Sequence, residues 1–245
     1  GPGPALAFAA HLDHPAFHLS GVTATGAKAA LKGGLPREQL DGVRVEAFPL
    51  GPRDNRALAR GVVKPAGERY RVQWTEPPAK GSRLAFATLE LTPWQVDGRW
   101  LRSRSIDDLL GCAASVEGMR RLVKARVKTN VTVLLHRAEE VGFIGAIAAC
   151  RHKTIPPRCR VVAVETSSQL PNARIGDGPI LRVGDRSSVF TPAATAYCRR
   201  VAAELALRDK SFVFQRKLMD GGTCESSAYA ELGYEATGLC VALGN

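Results

Sequence analysis

Short apolar runs that end in polar turns recur along the chain and predict buried strands. The first, Ala5–Ala10, is almost wholly apolar, and Val131–Leu135 is rich in β-branched residues. Four later runs have the same character: Arg160–Val164, Pro179–Val183, Ser211–Gln215 and Leu239–Leu243. Segments typical of helices lie between the strands, at 105–127, 142–150, 192–207 and 223–232. This alternation favours a three-layer α/β/α sandwich around a mostly parallel central sheet.

Residues 20–102 follow a different pattern. Short alternating runs at Val43–Phe48, Ala59–Val63, Tyr70–Trp74 and Leu84–Leu91 are separated by turns such as Gly51-Pro52. The pattern predicts a small antiparallel, β-barrel-like module, in which Gly26–Leu31 is the one helical candidate. We therefore expect an α/β domain made of 1–19 and 103–245, interrupted by an inserted module at 20–102. The chain starts in a strand and stops without a closing helix, so we expect this domain to be truncated at both ends.

Composition narrows the class of protein. The 245 residues suffice for one large domain, or one domain with an insertion. No run approaches the roughly 20 apolar residues that span a bilayer, and no secretory leader is visible, so we expect a cytoplasmic protein without membrane contact. The six cysteines form no CxxC pair. They fit buried thiols in a reducing compartment and argue against a cysteine-based zinc site.

The charge balance is strongly basic. There are 34 Lys and Arg residues against 23 Asp and Glu residues, a formal net charge of +11. The cations are dispersed and no aromatic residues interleave with them, so nucleic-acid binding is the less favoured interpretation. We expect the charge to promote solubility and to favour acidic partners.

Acidic residues and one histidine cluster at the ends of predicted strands and at one helix start. The clusters are His11/Asp13, Asp107/Asp108, Glu139/Glu140 and Glu165. Open α/β sheets bind ligands at the carboxyl ends of their strands, and histidine with carboxylates is a donor set for catalytic zinc, or for cobalt or manganese. A carboxylate two residues after a metal-binding histidine can accept its other ring N–H. The alternative for Glu139 and Glu140 alone is a solvated surface turn.

These motifs resemble those of a known family. H-x-D at His11, D-D-x-x-G at Asp107, E-E-x-G at Glu139 and the acid Glu165 are similar to the motifs of the co-catalytic dinuclear zinc peptidases, clan MH. Within that clan the chain most resembles the TET-type and glutamyl aminopeptidases, which also carry a β-barrel module between the first two motifs. Further similar segments are Gly176–Ile180 and Gly221–Thr223.

The resemblance implies a role for each residue. Asp107 would bridge two divalent metal ions, zinc as in the family, with cobalt or manganese as substitutes; His11 and Glu165 would complete the site of one ion and Glu140 that of the other. Glu139 would be the general base and Asp13 would orient His11. The expected activity is that of a metal-dependent aminopeptidase acting on peptides, in a homo-oligomer assembled through the β module.

The chain also departs from the family pattern. An acid is common in relatives at His14, and aspartate at Glu165. The histidine that closes the second metal site in relatives is missing, since all five histidines precede residue 153. We expect it just beyond Asn245; the alternative is a degenerate, non-catalytic homologue that lost this ligand. A further alternative is an amidohydrolase or deacylase acting on acyl-amino acids, because the same ligands serve both reactions.

Several residues near these motifs keep two interpretations. Asp108 is either a partner of the site or a helix N-terminal charge, and His136 is either a neighbour of the site or an ordinary residue after a strand. Cys112 and Cys224 are expected to pack rather than to bind. The tryptophans of the β module, Trp74, Trp94 and Trp100, are expected in its core or in an oligomer contact.

Overall fold

The computed structural model describes residues 5–51 and 56–244. The chain forms two compact units, one made of Gly1–Asp13 with Ile106–Asn245 and the other of His14–Ser105. The expected boundaries at 19/20 and 102/103 thus differ from the observed ones by a few residues. Pro52, in one predicted turn, and Asn245 lie outside the described residues. Among the described residues, no helix has the length and apolar character needed to cross a bilayer.

In its described residues, the α/β unit contains a six-stranded sheet and four helices. The strands are β1 (Leu6–His11), β10 (Val131–His136), β11 (Arg160–Ser168), β12 (Ile180–Asp185), β13 (Gln215–Met219) and β14 (Glu235–Leu243). The helices are α1 (Ile106–Lys124), α2 (Ile144–Arg151), α3 (Pro192–Arg208) and α4 (Glu225–Glu231). The alternation of strands and helices confirms the α/β prediction.

The strand order of this sheet is β10-β1-β11-β14-β12-β13. Strand β1 is parallel to both β10 and β11, with Leu6 opposite Val131 and Arg160. β14 is parallel to β11, whereas β12 runs antiparallel to β14 and parallel to β13. The sheet is therefore mostly parallel, as the pattern predicts, and β1, β10 and β11 deliver their carboxyl ends to one edge.

Small side chains bring helices close to the sheet. Ala7, Ala9 and Val161 are fully buried and pack with Ala146 of α2 and Tyr229 of α4. On α1, a Cβ at Gly111 would lie 2.7 Å from the carbonyl oxygen of Val164. Burial of these apolar groups stabilises the layered packing.

The second unit is a closed antiparallel barrel. Its strands are β2 (Ala16–Ser20), β3 (Gly26–Lys32), β4 (Arg44–Pro49), β5 (Ala59–Ala66), β6 (Arg69–Glu76) and β7 (Leu84–Leu89). Phe17, Val45, Val63 and Val72 are almost fully buried in its core. A separate hairpin, β8 (Gln95–Asp97) and β9 (Trp100–Arg102), follows the barrel.

Two predicted elements are wrong. Gly26–Leu31 is strand β3 rather than a helix, because Ala27 and Ala29 alternate with exposed Lys28 and the strand pairs with β2 and β6. The predicted strand Ser211–Gln215 mostly lies before β13, since Asp209 accepts hydrogen bonds from the N–H and hydroxyl of Ser211 and forms a turn there.

Candidate metal centre

His11 is the last residue of β1 and lies at the centre of a cluster of acids. Its Nε2 atom is 3.1 Å from Oδ1 of Asp107, 3.9 Å from Oε2 of Glu139 and 3.9 Å from Oε2 of Glu165. These acids come from the start of α1, from the turn after β10 and from β11. His11 is 2% exposed and Glu165 is 5% exposed. Three carboxylates from distant parts of the chain therefore surround one buried imidazole nitrogen.

The orientation of His11 is set by a main-chain carbonyl group. Nδ1 of His11 donates a hydrogen bond of 2.8 Å to the carbonyl oxygen of Asp13, whereas the Asp13 carboxylate lies 3.9 Å away. The expected contact between this carboxylate and the ring is thus replaced by the Asp13 carbonyl. With the proton on Nδ1, the lone pair of Nε2 points towards the acids, as metal ligation requires.

The Asp13 carboxylate instead holds the turn that carries the paired glutamates. Its Oδ1 accepts the N–H of Glu139 at 3.1 Å and its Oδ2 accepts the N–H of Glu140 at 3.3 Å. Ala138, just before them, has a left-handed backbone with φ of +62°, a conformation that costs a non-glycine residue of the order of 1 kcal/mol. Because β10 ends at His136, both glutamates lie in this turn, and strand alternation does not set their directions.

Asp108 is fully buried and binds two main-chain amides. Its Oδ2 accepts the N–H of His11 at 3.2 Å, and its Oδ1 accepts the N–H of Gly111 at 3.1 Å. Within the described residues, potential ligand atoms of His11, Asp108 and Glu165 all lie within 4.8 Å of one another. Asp108 is thus a further potential ligand. From the sequence we expected it to be either a partner of the site or a charge at the N-terminus of a helix.

The acids perturb one another strongly. Burial alone would lower the pKa of His11, but its contact with Asp107 and the charge of Glu139 raise that pKa to about 10. Burial raises the pKa of Asp108 to about 8 and that of Glu139 to about 8, the latter aided by the charge of Glu140. Burial also raises the pKa of Glu165 well above its usual range. A buried cluster of this kind is costly unless cations lie among the carboxylates.

The donor atoms fit divalent metal ions. Oδ1 of Asp107 and Oε1 of Glu165 are buried and accept no hydrogen bond from the residues that the structure describes, although Oδ1 of Asp107 lies 3.1 Å from Nε2 of His11. Unpartnered oxygens next to a correctly oriented imidazole match the oxygen and nitrogen ligands of catalytic zinc sites. Glu140 belongs to the same turn, and its charge acts on Glu139.

A second polar group lies beside this cluster. His136, the last residue of β10, contacts Glu225 and Tyr229 of α4, and all three side chains are buried. The sequence considered His136 as a neighbour of the site but did not single out Glu225 or Tyr229. The i, i+4 spacing of these two residues on a helix, facing a strand-end histidine, is the pattern that could have revealed them. Cys112 donates its S–H to the carbonyl oxygen of His11 and so packs, as expected.

Comparison with known proteins identifies the family. A sequence model of the M42 glutamyl aminopeptidase family matches residues 83–245, well over half of the chain. The chain belongs to the M42 glutamyl aminopeptidase family. As a member of the M42 family, it is a metallo-aminopeptidase, and the resemblance of its motifs to the dinuclear zinc peptidases is confirmed.

Solved structures share the fold of this M42 protein. TET1 peptidase from Pyrococcus horikoshii has a TM-score of 0.78 at 18% identity, over 99% of this chain and 76% of that one. An aminopeptidase from Desulfurococcus kamchatkensis has a TM-score of 0.78 at 19% identity, over 99% and 72%. A TET aminopeptidase from a Thaumarchaeota archaeon has a TM-score of 0.80 at 18% identity, over 98% and 73%. At these identities the likeness concerns the fold.

Proposed function

We propose that this M42 protein removes N-terminal residues from peptides with a pair of divalent metal ions, zinc in the first place and cobalt or manganese as substitutes. The observation that carries the proposal is the position of His11 Nε2 between carboxylates of Asp107, Glu139 and Glu165. Nitrogen and oxygen donors without thiolates are the ligands of hydrolytic zinc. Such ions supply Lewis acidity, which lowers the pKa of water and polarises the scissile carbonyl group.

Four residues would hold the metals. His11 and Glu165 would bind one ion, Glu140 would bind the other, and Asp107 would lie between the two. This assignment is supported by Oδ1 of Asp107 and Oε1 of Glu165, which are buried and accept no hydrogen bond within the described residues. The carboxylate of Asp108 also lies within 4.8 Å of ligand atoms of His11 and Glu165. It would help to orient His11 by accepting the main-chain N–H of that residue.

Glu139 would act as the general base. It would take a proton from the attacking water and pass it to the leaving amine. Its carboxyl is buried beside His11, and this burial raises its pKa, the direction that makes a carboxylate a stronger base. Asp13 supports this role because it holds the N–H groups of both glutamates.

We also propose that the chain works as a homo-oligomer, assembled through the barrel, in the cytoplasm. The support is indirect: the similar TET1 peptidase from Pyrococcus horikoshii assembles into a tetrahedron or a large octahedral shell. Light scattering of the purified protein tests the assembly, and a monodisperse monomer would contradict it.

The central experiment replaces Glu139 by Gln. This change keeps the size of the side chain and removes its basicity, so kcat towards an aminoacyl amide falls by about 100-fold or more, while the zinc content stays unchanged. Steady-state kinetics and metal analysis of the full-length protein check both outcomes.

The matched control is Glu204→Gln, an exposed change on α3, which should leave kcat and metal content unaltered. Full activity in Glu139→Gln would refute the base assignment. Acyl-amino acids belong in the same substrate panel, because turnover of these compounds alone would identify an amidohydrolase instead.

A further inference from the structure

A buried chain of three polar groups links β10 to α4. Nδ1 of His136 lies 2.7 Å from Oε1 of Glu225, and Nε2 of His136 lies 2.8 Å from the hydroxyl of Tyr229. Glu225 and Tyr229 have no exposed surface, and His136 is 6% exposed. Side chains held in this way from both ends have one available orientation.

With a neutral imidazole at His136, the chemistry of the three groups sets the direction of both hydrogen bonds. A carboxylate only accepts, so Nδ1–H of His136 donates to Glu225. Nε2 then accepts the hydroxyl proton of Tyr229. Burial raises the pKa of Tyr229 well above its usual range, which keeps that proton in place. The chain therefore runs from a donor, through the imidazole, to a carboxylate, and hydrogen bonds to a buried charge are the stronger kind.

The same histidine anchors the strand that leads into the glutamate turn. The carbonyl oxygen of His136 accepts the N–H of Leu12, next to His11. Helix α2 packs directly on this point, since a Cβ at Gly145 would lie 3.0 Å from Cβ of His136. Glu139 comes three residues later, and its turn is held from the other side by Asp13. His136 and Asp13 thus fix the two flanks of one turn.

Glu225 itself is close enough to influence the acids of the centre. Its charge raises the pKa of both Glu139 and Glu165. Its second oxygen, Oε2, is buried and has no hydrogen-bond partner in the part of the chain that the structure describes. A buried carboxylate with a single hydrogen bond destabilises a fold, so its presence here calls for a role at the site.

We propose that Glu225, His136 and Tyr229 are positioning residues that fix the turn bearing Glu139 and Glu140 relative to His11. This inference rests on the proposed function, because it assigns Glu139 as the base and Glu140 as a metal ligand. The contact between Glu225 and His136 carries most of the effect, since it is the charged one. Its loss displaces both glutamates together, and therefore lowers metal affinity and kcat while KM changes little.

Two substitutions of His136 test its two hydrogen bonds separately. His136→Asn keeps an N–H near the position of Nδ1 and so keeps the contact with Glu225. His136→Gln places its amide near the position of Nε2 and loses that contact. In the full-length protein, we expect His136→Gln to weaken zinc binding and to lower kcat, each by about 10-fold or more. We expect His136→Asn to stay within about 3-fold of the parent in both, and KM to stay within about 3-fold in either variant.

A second pair of variants tests the hydrogen bond between Tyr229 and His136, in case the histidine variants fail to fold. Tyr229→Phe removes the hydroxyl that contacts His136. Tyr234→Phe is the matched control, since Tyr234 packs edge-on against Tyr229. Within the described residues, its hydroxyl makes one hydrogen bond, of 3.5 Å, to the carbonyl oxygen of Ile155. We expect Tyr229→Phe to lower zinc affinity and kcat by about 3-fold each, and Tyr234→Phe to leave kcat and zinc affinity unchanged at a similar melting temperature.

Zinc affinity is measured by calorimetric titration of the metal-free protein with zinc alone, independently of turnover. Equal zinc affinities of His136→Gln and His136→Asn, or of Tyr229→Phe and Tyr234→Phe where the histidine variants do not fold, would overturn the positioning role. A parent protein that binds zinc but cleaves no aminoacyl amide would refute the proposed function alone, because the zinc titrations would still decide between the variants.

Discussion

Carboxylates that accept main-chain N–H groups recur in the α/β unit. Asp13 binds the amides of the glutamate turn, Asp108 binds those of His11 and Gly111, and Asp185 binds those of Ser187 and Cys224. Each of these acids joins segments that are distant in sequence or fixes a tight turn. An ionised oxygen is a strong acceptor for such amides, so these residues shape the backbone around the centre.

Asp13→Asn tests this at the metal centre. One end of the Asn amide is a donor, so it cannot accept the N–H of both Glu139 and Glu140. We expect zinc affinity to fall by about 10-fold, measured by titration of the metal-free protein. Asp41→Asn, an exposed change in the barrel, should have no effect. Unchanged affinity in Asp13→Asn would contradict the role of this carboxylate.

Asp185 predicts a dependence of stability on pH. Burial opposes the shift, but hydrogen bonds from Ser227, Ser187 and the N–H of Cys224 lower the pKa of Asp185 below its usual value. A lowered folded-state pKa stabilises the protein above the unfolded-state pKa of about 4. This contribution is lost as the pH falls through the folded-state value.

The variant Asp185→Asn should therefore be less stable at neutral pH by about 2 kcal/mol. The difference from the parent should shrink below about pH 4, as followed by urea unfolding at a series of pH values. A difference that stays constant down to pH 2 or so would show that the charge of Asp185 is not involved.

At the scale of single elements, the strands and helices of the α/β unit follow from short-range patterns. The apolar run Val131–Leu135 predicts β10 because a strand buried in a parallel sheet shows little polar alternation. Edge strand β13 begins at Gln215, where the predicted strand ends, since Arg216 and Lys217 interrupt its apolar character and edge strands favour such charges. The Lys and Ala spacing of Gly26–Leu31 fits a helix and a strand alike, and only its pairing partners decide.

The same distinction between local and distant information holds for the site. The closeness of His11, Glu139 and Glu165 could be predicted from the sequence. Each of them follows an apolar run, and parallel strands end at one edge of the sheet. The contacts of Asp108 and Glu225 could not be predicted, because they depend on how closely helices approach the sheet. The contact of Asp13 with two amides is set by the left-handed Ala138, which leaves no mark in the sequence.

Helix α1 offers a paired glycine test. A Cβ at Gly111 would lie 2.4 Å from Oδ1 of Asp108 and 2.7 Å from the carbonyl oxygen of Val164, whereas a Cβ at Gly118 meets nothing within 4 Å. We expect Gly111→Ala to destabilise the protein by about 1–3 kcal/mol. Gly118→Ala should stabilise it by up to about 1 kcal/mol, through helix propensity. Urea unfolding compares the two; equal effects would contradict the close packing at Gly111.

At the scale of the whole molecule, the two units have separate hydrophobic cores. The barrel core includes Phe17 and Val63, and the α/β unit buries Ala9 and Tyr229. All three tryptophans, Trp74, Trp94 and Trp100, fall within His14–Ser105. Tryptophan fluorescence therefore reports on the His14–Ser105 unit, its barrel and its hairpin together.

This distribution allows the effect of metal removal to be located. A ligand that binds only the folded state stabilises it by RT ln(1 + [L]/Kd), which is about 2.7 kcal/mol at a free concentration of 100 Kd. Chelation of zinc should lower the unfolding temperature of the α/β unit. This transition is followed by the helical signal in far-UV circular dichroism, because α1 to α4 belong to this unit. The tryptophan transition should stay in place. An equal shift of both transitions would mean that the units unfold together.

The position of the barrel in the chain has a consequence for biosynthesis. His14–Ser105 emerges from the ribosome as one continuous piece whose strands pair among themselves, whereas β1 must wait for β10 and β11, more than 120 residues later. At about 5–20 residues per second, that delay lasts on the order of 6 to 25 seconds. The apolar Ala5–Ala10 segment thus stays without its sheet partners during this delay, and His11 meets its acidic neighbours only when translation is well past the barrel.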